Sequence, residues 1–179
     1  MSNITLLGRG PSWIECPLKG EIWGTATCLI TDGLKDINYS KVFAFDSPLI
    51  PLVRNSLDAA LERNIPVVSN LNYATELFPT REVAREFRCV YLRSSMSYMI
   101  AMAIYSGYTK LRIDGIDQGP NWHYALSKPY VTFWLGVASG RDIDWEMGKG
   151  SLTWMYRLDK HNMAEPFEQT DNDLVQLAI

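Results

Sequence analysis

The fold of this chain is decided by its opening segment, Asn3-Ile4-Thr5-Leu6-Leu7-Gly8-Arg9-Gly10-Pro11-Ser12-Trp13. A short β-prone apolar run stops there at a glycine turn, and a helix capped by Ser12 is predicted to follow the turn. Glycines let a backbone approach an anion closely, and the free N–H groups at a helix start favour negative charge. Ordinary strand-to-helix turns share this pattern. We nevertheless expect a phosphate site at residues 8–12.

The same turn lacks two features of a dinucleotide site. The third glycine of the dinucleotide fingerprint is missing, and no acidic residue closes a following strand at the expected distance. NAD is therefore not the expected ligand. The formal net charge of −3 argues against a nucleic-acid partner, because sequence-independent affinity for nucleic acid comes from clustered Lys and Arg. A phosphate bound here is expected to belong to a small molecule.

Length and composition predict one domain, residues 1–179, with an irregular tail from about residue 147. The chain has 179 residues and a hydrophobic content of 47%, enough for a sizeable core, and no interval is polar enough to be a linker. Cys16, Cys28 and Cys89 contain no Cys-x-x-Cys pair, which predicts neither a disulfide framework nor a zinc site. Without a secretion-signal pattern or a run of about 18 apolar residues, we expect a cytoplasmic protein with no membrane partner.

Short β-rich runs alternate with amphipathic segments along the chain, as in a parallel sheet covered by helices. The predicted strands cover residues 4–7, 21–27, 41–45, 66–69, 88–92, 110–114 and 142–145. The predicted helices cover residues 49–63, the stretch from 96 to Gly107, and 127–140, with Ser127 as cap and Pro129 in the first turn of the last helix. The methionines of the second helix are expected to fill core gaps rather than to bind a cofactor. The pattern predicts an α/β fold with a mostly parallel central sheet flanked by helices.

Small polar residues follow nearly every predicted strand, at the edge where parallel sheets bind ligands. The candidate ligand-binding residues are Gly8, Arg9, Gly10, Pro11, Ser12, Thr25, Asp46, Arg93, Ser94, Ser95 and Gly115. Asp117, after the sixth strand, is a candidate for holding a hydroxyl or a metal ion. Any one of these residues is more often a helix cap or a turn residue. Only their convergence at one edge predicts a site.

Three motifs of the chain resemble a superfamily with a Rossmann-like fold: residues 8–12, 94–99 and 107–117. Its characterised branches are the bacterial sialyltransferases that use CMP-sialic acid and the archaeal 6-hydroxymethylpterin diphosphokinases. Residues 21–24 and 124–141 are most similar to small phage-encoded members of the superfamily, from which no activity carries over. The resemblance covers roughly residues 3–155. The resemblance implies a Rossmann-like three-layer fold. For a phage-encoded protein it also implies a location in the cytoplasm of a bacterial host.

The sialyltransferase branch also implies a catalytic base. Those enzymes use a histidine in a lid region, and His123 occupies a comparable loop after Asp117, although a lone histidine beside Trp122 and Tyr124 is more often packed or on the surface. An asparagine commonly follows the second strand in that branch, whereas this chain has Thr25-Ala26-Thr27. The nature of the nucleotide or nucleotide-sugar donor therefore stays open.

The function that these observations favour is nucleotide-dependent transfer of a glycosyl or pyrophosphoryl group, with His123 and Asp117 as catalytic residues. Pyrophosphoryl transfer would add Mg²⁺ as a cofactor, so metal dependence would separate the two reactions. A non-catalytic nucleotide-binding protein and a structural assembly component are the alternatives. Four aromatic residues could form a homo-oligomer interface, although such rings more often belong to the core: Trp122, Tyr130, Phe133 and Trp134.

Overall fold

A parallel sheet runs through the middle of the molecule. The computed structural model describes residues 2–117 and 122–148, with the backbone alone for residues 122–125. In this part of the chain the strands are β1 (Asn3–Leu7), β2 (Glu21–Thr25), β3 (Lys41–Phe43), β4 (Val67–Ser69), β5 (Glu76–Leu77), β6 (Lys110–Asp114) and β7 (Asp144–Met147). They lie in the order β5-β4-β3-β2-β1-β6-β7, and all six pairings are parallel. The carboxyl ends of the strands therefore share one edge.

Helices cover both faces of the sheet. The α-helices are α1 (Pro51–Glu62), α2 (Thr80–Phe87), α3 (Ser95–Tyr105) and α4 (Trp122–Ser139), and two short 3₁₀ helices cover Pro11–Glu15 and Ala26–Ile30. Because side chains alternate along a strand, Leu6 and Leu7 enter two separate cores on opposite faces of the sheet. The predicted α/β class is confirmed: the fold is Rossmann-like, with a layer of helices on each side of the sheet. None of the described helices is long and apolar enough to cross a membrane.

The predicted second helix is confirmed as α3, and its methionines lie in the core. Met96 and Met99 are buried together with Ile100 and Ala103, which recur at helical spacing on the face toward the sheet. Gly107 follows the helix with a φ of 81°. This positive φ suits glycine and turns the chain toward β6.

The predicted strand at residues 88–92 is wrong. α2 ends there, with Arg88 in the left-handed region at a φ of 52°, and the chain then runs to α3 without joining the sheet. The sheet instead gains the two-residue strand β5, which pairs with β4. α2 was missed because it has only eight residues, so the helical spacing of Val83 and Phe87 covers little more than one turn.

The helix predicted from Ser127 begins earlier than expected. α4 starts at Trp122 and contains Pro129 in its interior. An interior proline costs roughly 3 kcal/mol, but Pro129 lies on the exposed side, while Val131 and Trp134 are fully buried on the other side. Burial of that apolar stripe outweighs the local preference for proline in a first turn.

The aromatic cluster is divided between core and surface. Trp134 is fully buried and donates a hydrogen bond from Nε1 to the carbonyl of Tyr91 at 2.8 Å. Tyr130 stacks on Tyr91 with ring centroids 4.2 Å apart, and Phe133 is 38% exposed. The side chain of Trp122 lies outside the described part of the structure, as does the tail predicted from about residue 147, beyond Gly148. The homo-oligomer stays a prediction.

Glu21, the first residue of β2, joins this strand to the loop before β6 at the amino edge of the sheet. Its Oε2 accepts a hydrogen bond from the Tyr108 hydroxyl at 2.7 Å, and its Oε1 accepts one from Nε1 of Trp23 at 2.9 Å. Burial acts to raise the pKa of Glu21, but these hydrogen bonds outweigh it and leave the pKa below its ordinary value. Burial and the bond to Glu21 raise the pKa of Tyr108 to about 12.

We expect Glu21→Gln to lower the free energy of unfolding at pH 7 by about 1 kcal/mol, because charge-assisted hydrogen bonds at a partly solvated site are lost. A carboxyl whose pKa falls on folding contributes stability above its unfolded pKa, and that contribution is lost as the pH drops through the folded pKa. The difference between wild type and variant should therefore shrink by about pH 3 in urea denaturation. Exposed Glu62→Gln is the control. A difference of equal size at both pH values would contradict this account.

Candidate functional site

The residues predicted to bind a ligand converge on one cavity at the carboxyl edge of the sheet. The cavity has a volume of about 980 Å³. Among the residues that line it are eleven of the thirteen candidates: Gly8, Arg9, Gly10, Pro11, Thr25, Asp46, Arg93, Ser94, Ser95, Gly115 and Asp117. Ser12 is buried behind this lining. The side chain of His123 lies outside the described part of the structure, so its role as a base stays a prediction.

Two loops, one after β1 and one after β6, are joined by hydrogen bonds. The amide of Gly8 donates to the carbonyl of Asp114 at 2.9 Å, and the amide of Gly10 donates to the carbonyl of Gly115 at 2.8 Å. The Ser12 hydroxyl accepts a bond from the amide of Gly115 at 3.0 Å. A Cβ at Gly8 would overlap the carbonyl oxygen of Gly115, and a Cβ at Gly115 would overlap that of Gly8. The glycines therefore permit the two loops to touch.

These hydrogen bonds limit what the first turn can offer a ligand. The amides of Gly8 and Gly10, which lie in the predicted phosphate site, are bonded to the neighbouring loop. The expected helix is a five-residue 3₁₀ helix with Gly10 at its N-cap and no side-chain cap, so Ser12 is not a capping residue. A glycine shows that something approaches the backbone, but not whether it is a ligand or a carbonyl group. The turn contributes the cavity wall and the side chain of Arg9.

The N-terminus of α3 faces the same cavity with a complete capping box. The Ser94 side chain accepts a bond from the amide of Ser97, and the Ser97 hydroxyl accepts bonds from the amides of Ser94 and Arg93. An α-helix has no internal acceptor for its first amides. Those of Ser95 and Met96 are therefore available to an anion in the cavity that both residues line. The helix start predicted at Ser94 and Ser95 is confirmed.

Four charged residues line the cavity. Arg9, Arg93 and Asp46 are exposed, and no ion pair joins any of them to another described residue. Asp117 is held in place because its Oδ2 accepts a bond from the amide of Ser12 at 3.0 Å. Its Oδ1 is buried and has no hydrogen-bond partner in the described part of the chain. A buried acceptor without a partner is costly, which suits a ligand hydroxyl at this position.

Asp114, the other carboxylate after β6, serves the fold instead of the cavity. It is fully buried, and Arg112 binds it through two hydrogen bonds, from Nε to Oδ2 at 2.7 Å and from an Nη to Oδ1 at 2.8 Å. The hydrogen bonds to Asp114 raise the pKa of Arg112 above its ordinary value. Asp117, the candidate chosen from the sequence, is the one of these two carboxylates that lines the cavity.

No group of three or more His, Cys, Asp and Glu side chains within the described ranges is arranged to hold a metal ion. The carboxylates that line the cavity are those of Asp46 and Asp117. β3 and β6, after which they lie, are three strand positions apart, so a Mg²⁺ ion would bind one of the two carboxylates together with substrate phosphates.

Sequence reasoning missed the apolar side of the cavity. Phe45, Ile50, Leu52 and Val53 line it, at the end of β3 and the start of α1. The periodicity of residues 49–63 predicted that Leu49 and Leu52 pack on the sheet, but Leu49 is 81% exposed and Leu52 is 39% exposed. An amphipathic period identifies an apolar face without telling whether a core or a cavity lies against it.

A comparison of folds relates the chain to a sialyltransferase. The sialyltransferase CstII from Campylobacter jejuni, solved in complex with a substrate analogue, cytidine-5′-monophosphate, matches with a TM-score of 0.53 over 85% of this chain and 82% of that chain. The sequence identity is 15%. No known family profile matches the chain, and no curated protein is similar to it in sequence. The similarity shows that this chain has the Rossmann-like fold of that enzyme.

Proposed function

We propose that this protein is a nucleotide-dependent transferase that binds its nucleotide in the cavity at the carboxyl edge of the sheet. The observation that carries the proposal is the meeting of three anion-binding features there. The first residues of α3, Arg93 just before the helix, and Arg9 on the loop after β1 all line the cavity. Guanidinium groups and helix amides together bind phosphate through charge-assisted hydrogen bonds.

The other lining residues fit the remainder of a nucleotide. Oδ1 of Asp117, which has no hydrogen-bond partner within residues 2–117 and 122–148, would accept a bond from a ribose or substrate hydroxyl. Thr25 adds a hydroxyl from the end of β2. In the transfer step the arginines and the α3 amides would stabilise the negative charge that develops on the leaving phosphate. His123 remains our candidate for the base that deprotonates the acceptor.

We propose glycosyl transfer as the reaction, because the related fold of CstII holds cytidine-5′-monophosphate. Pyrophosphoryl transfer, the reaction of the diphosphokinase branch, would place Mg²⁺ between the substrate phosphates and Asp46 or Asp117. Product analysis by mass spectrometry after incubation with nucleotide sugars, or with ATP and Mg²⁺, separates the two reactions. CMP binding with no product from any donor would favour the non-catalytic binding protein.

Arg93→Met tests the phosphate site directly. We expect isothermal titration calorimetry with CMP to show an affinity about tenfold lower than in the wild type, because one charge-assisted hydrogen bond at an exposed site is lost. Arg85→Met, an exposed arginine on α2 that does not line the cavity, is the matched control and should leave the affinity unchanged. An equal loss of CMP affinity in the two variants would contradict the proposed phosphate site. Absence of CMP binding by the wild type would contradict it as well.

A further inference from the structure

The cavity has two unlike halves. One half is formed by the loops after β1 and β6 and by the start of α3, and it carries Arg9, Arg93 and Asp117. The other half is formed by the end of β3 and the start of α1, and its lining is mostly apolar: Phe43, Ala44, Phe45, Ile50, Leu52 and Val53. A phosphate suits the first half alone. The second half needs an occupant of different chemistry.

Local structure presents the apolar wall to the cavity. The amide of Ile50 bonds the carbonyl of Ser47 at 3.1 Å, which closes a turn before Pro51 begins α1. Ile50 and Val53 then lie on the same face of α1, one turn apart. Phe45 packs on the α3 side of the sheet, where its ring stacks on Tyr98 with centroids 3.6 Å apart. The Phe45 part of the lining is therefore held in place by packing.

The wall is also open to solvent at its rim. Ile50 is 45% exposed and Leu52 is 39% exposed, although both line the cavity. Exposed apolar side chains that border a cavity indicate that a ligand covers them, since burial of apolar surface stabilises a complex. A volume of about 980 Å³ is near the upper limit for small-molecule sites and leaves room beside a nucleoside monophosphate.

Asp46 supplies a polar group beside this apolar wall. Its backbone is fixed because its carbonyl accepts a hydrogen bond from the Tyr73 hydroxyl at 2.9 Å, and the same hydroxyl bonds the carbonyl of Ala44 at 3.0 Å. The Asp46 carboxylate lines the cavity and is exposed, and it makes no hydrogen bond or ion pair with any described side chain. A carboxylate next to an apolar wall recognises a hydroxyl that is attached to an apolar group.

We infer that the α1 half of the cavity binds the acceptor, and that this acceptor is an alcohol or sugar hydroxyl joined to an alkyl or aryl group. The apolar group lies against Ile50, Leu52 and Val53, and the hydroxyl donates a hydrogen bond to Asp46. This inference rests on the proposed function, because it assigns the nucleotide to the other half of the same cavity.

Calorimetric titration of the CMP-saturated protein with hexyl β-D-galactoside and with methyl β-D-galactoside tests the inference. The two probes carry the same hydroxyls and differ only in the alkyl chain. We expect the hexyl compound to bind at least about tenfold more tightly, because each buried methylene adds favourable transfer free energy. Equal affinities, or CMP binding without any galactoside binding, would overturn the inference. Failure of CMP itself to bind would overturn the proposed function as well.

Two neutral substitutions three residues apart show where the alkyl chain lies. Leu52→Asn should weaken binding of the hexyl compound about tenfold, whereas Leu49→Asn, in an exposed leucine outside the lining, should leave it unchanged. Asp46→Ala should weaken both galactosides, since it removes the acceptor of their hydroxyl. The two leucine variants should keep the wild-type affinity for CMP. Equal effects of the two leucine changes would place the alkyl chain elsewhere and contradict the inference.

Discussion

Gly115→Ala should lower the free energy of unfolding by about 3 kcal/mol, because it adds both backbone strain and overlap at the contact between two loops. Gly115 has a φ of 70°, which costs an alanine energy wherever it occurs. In addition, the new Cβ would overlap the carbonyl group of Gly8. This group belongs to the backbone and cannot rotate out of the way as a side chain could. The loops after β1 and β6 would have to separate, and Asp117 and Gly10 would move with them.

Gly107→Ala is the matched control for this change. Gly107 has a φ of 81°, but no atom lies within 4 Å of the position that a new Cβ would take. Gly107→Ala should therefore lower the free energy of unfolding only by the cost of the positive φ, about 1 kcal/mol. Chemical denaturation measures both variants, and calorimetry with CMP should show weakened binding for Gly115→Ala only. Equal losses of stability would mean that the loops do not depend on their close approach.

Arg112→Met should lower the free energy of unfolding by about 3–5 kcal/mol, because it leaves the carboxylate of Asp114 buried without a counter-charge. The side chain of Asp114 is fully buried, and Arg112 supplies both of the side-chain hydrogen bonds described above. Lys110→Met is the control, since Lys110 is 44% exposed and lies 4.0 Å from Glu146. That exposed pair should contribute less than about 1 kcal/mol.

A double-mutant cycle separates the buried charge from the loss of packing. Adding Asp114→Asn to Arg112→Met removes the uncompensated charge while it keeps the shape of the side chain, so much of the lost stability should return. Denaturation of the four proteins under one set of conditions gives the coupling free energy. If the second substitution lowered stability further, the account of the ion pair would be contradicted.

The general architecture could be predicted because it depends on local patterns. Apolar runs such as that of β1 and the stripe of Met96, Met99 and Ile100 in α3 define strands and helices by their period. The rule that parallel strands bind ligands at their carboxyl edge then placed Arg9, Arg93 and the other lining residues together. α2 escaped prediction because a helix of eight residues repeats its apolar pattern only once, from Val83 to Phe87.

The roles of individual site residues could not be predicted, because they depend on contacts between distant parts of the chain. Gly8 meets Gly115 only because β1 lies next to β6 in the sheet. The same adjacency lets the amide of Ser12 bind one carboxylate oxygen of Asp117, while the other oxygen has no partner among the described residues. No spacing within one segment of sequence contains this information. Leu52 likewise fits a core-facing pattern but lines a cavity.

Titration of ¹⁵N-labelled protein with CMP, followed by the shifts of its backbone amide signals, tests the central claim most directly. We predict saturable changes that are largest at the amides of Ser95 and Met96 and at Arg9. Signals at the amino edge of the sheet, such as those of Glu21 and Thr109, should stay unchanged. Changes centred on that opposite edge, or no saturable change at α3, would contradict the claim that this cavity is a nucleotide site.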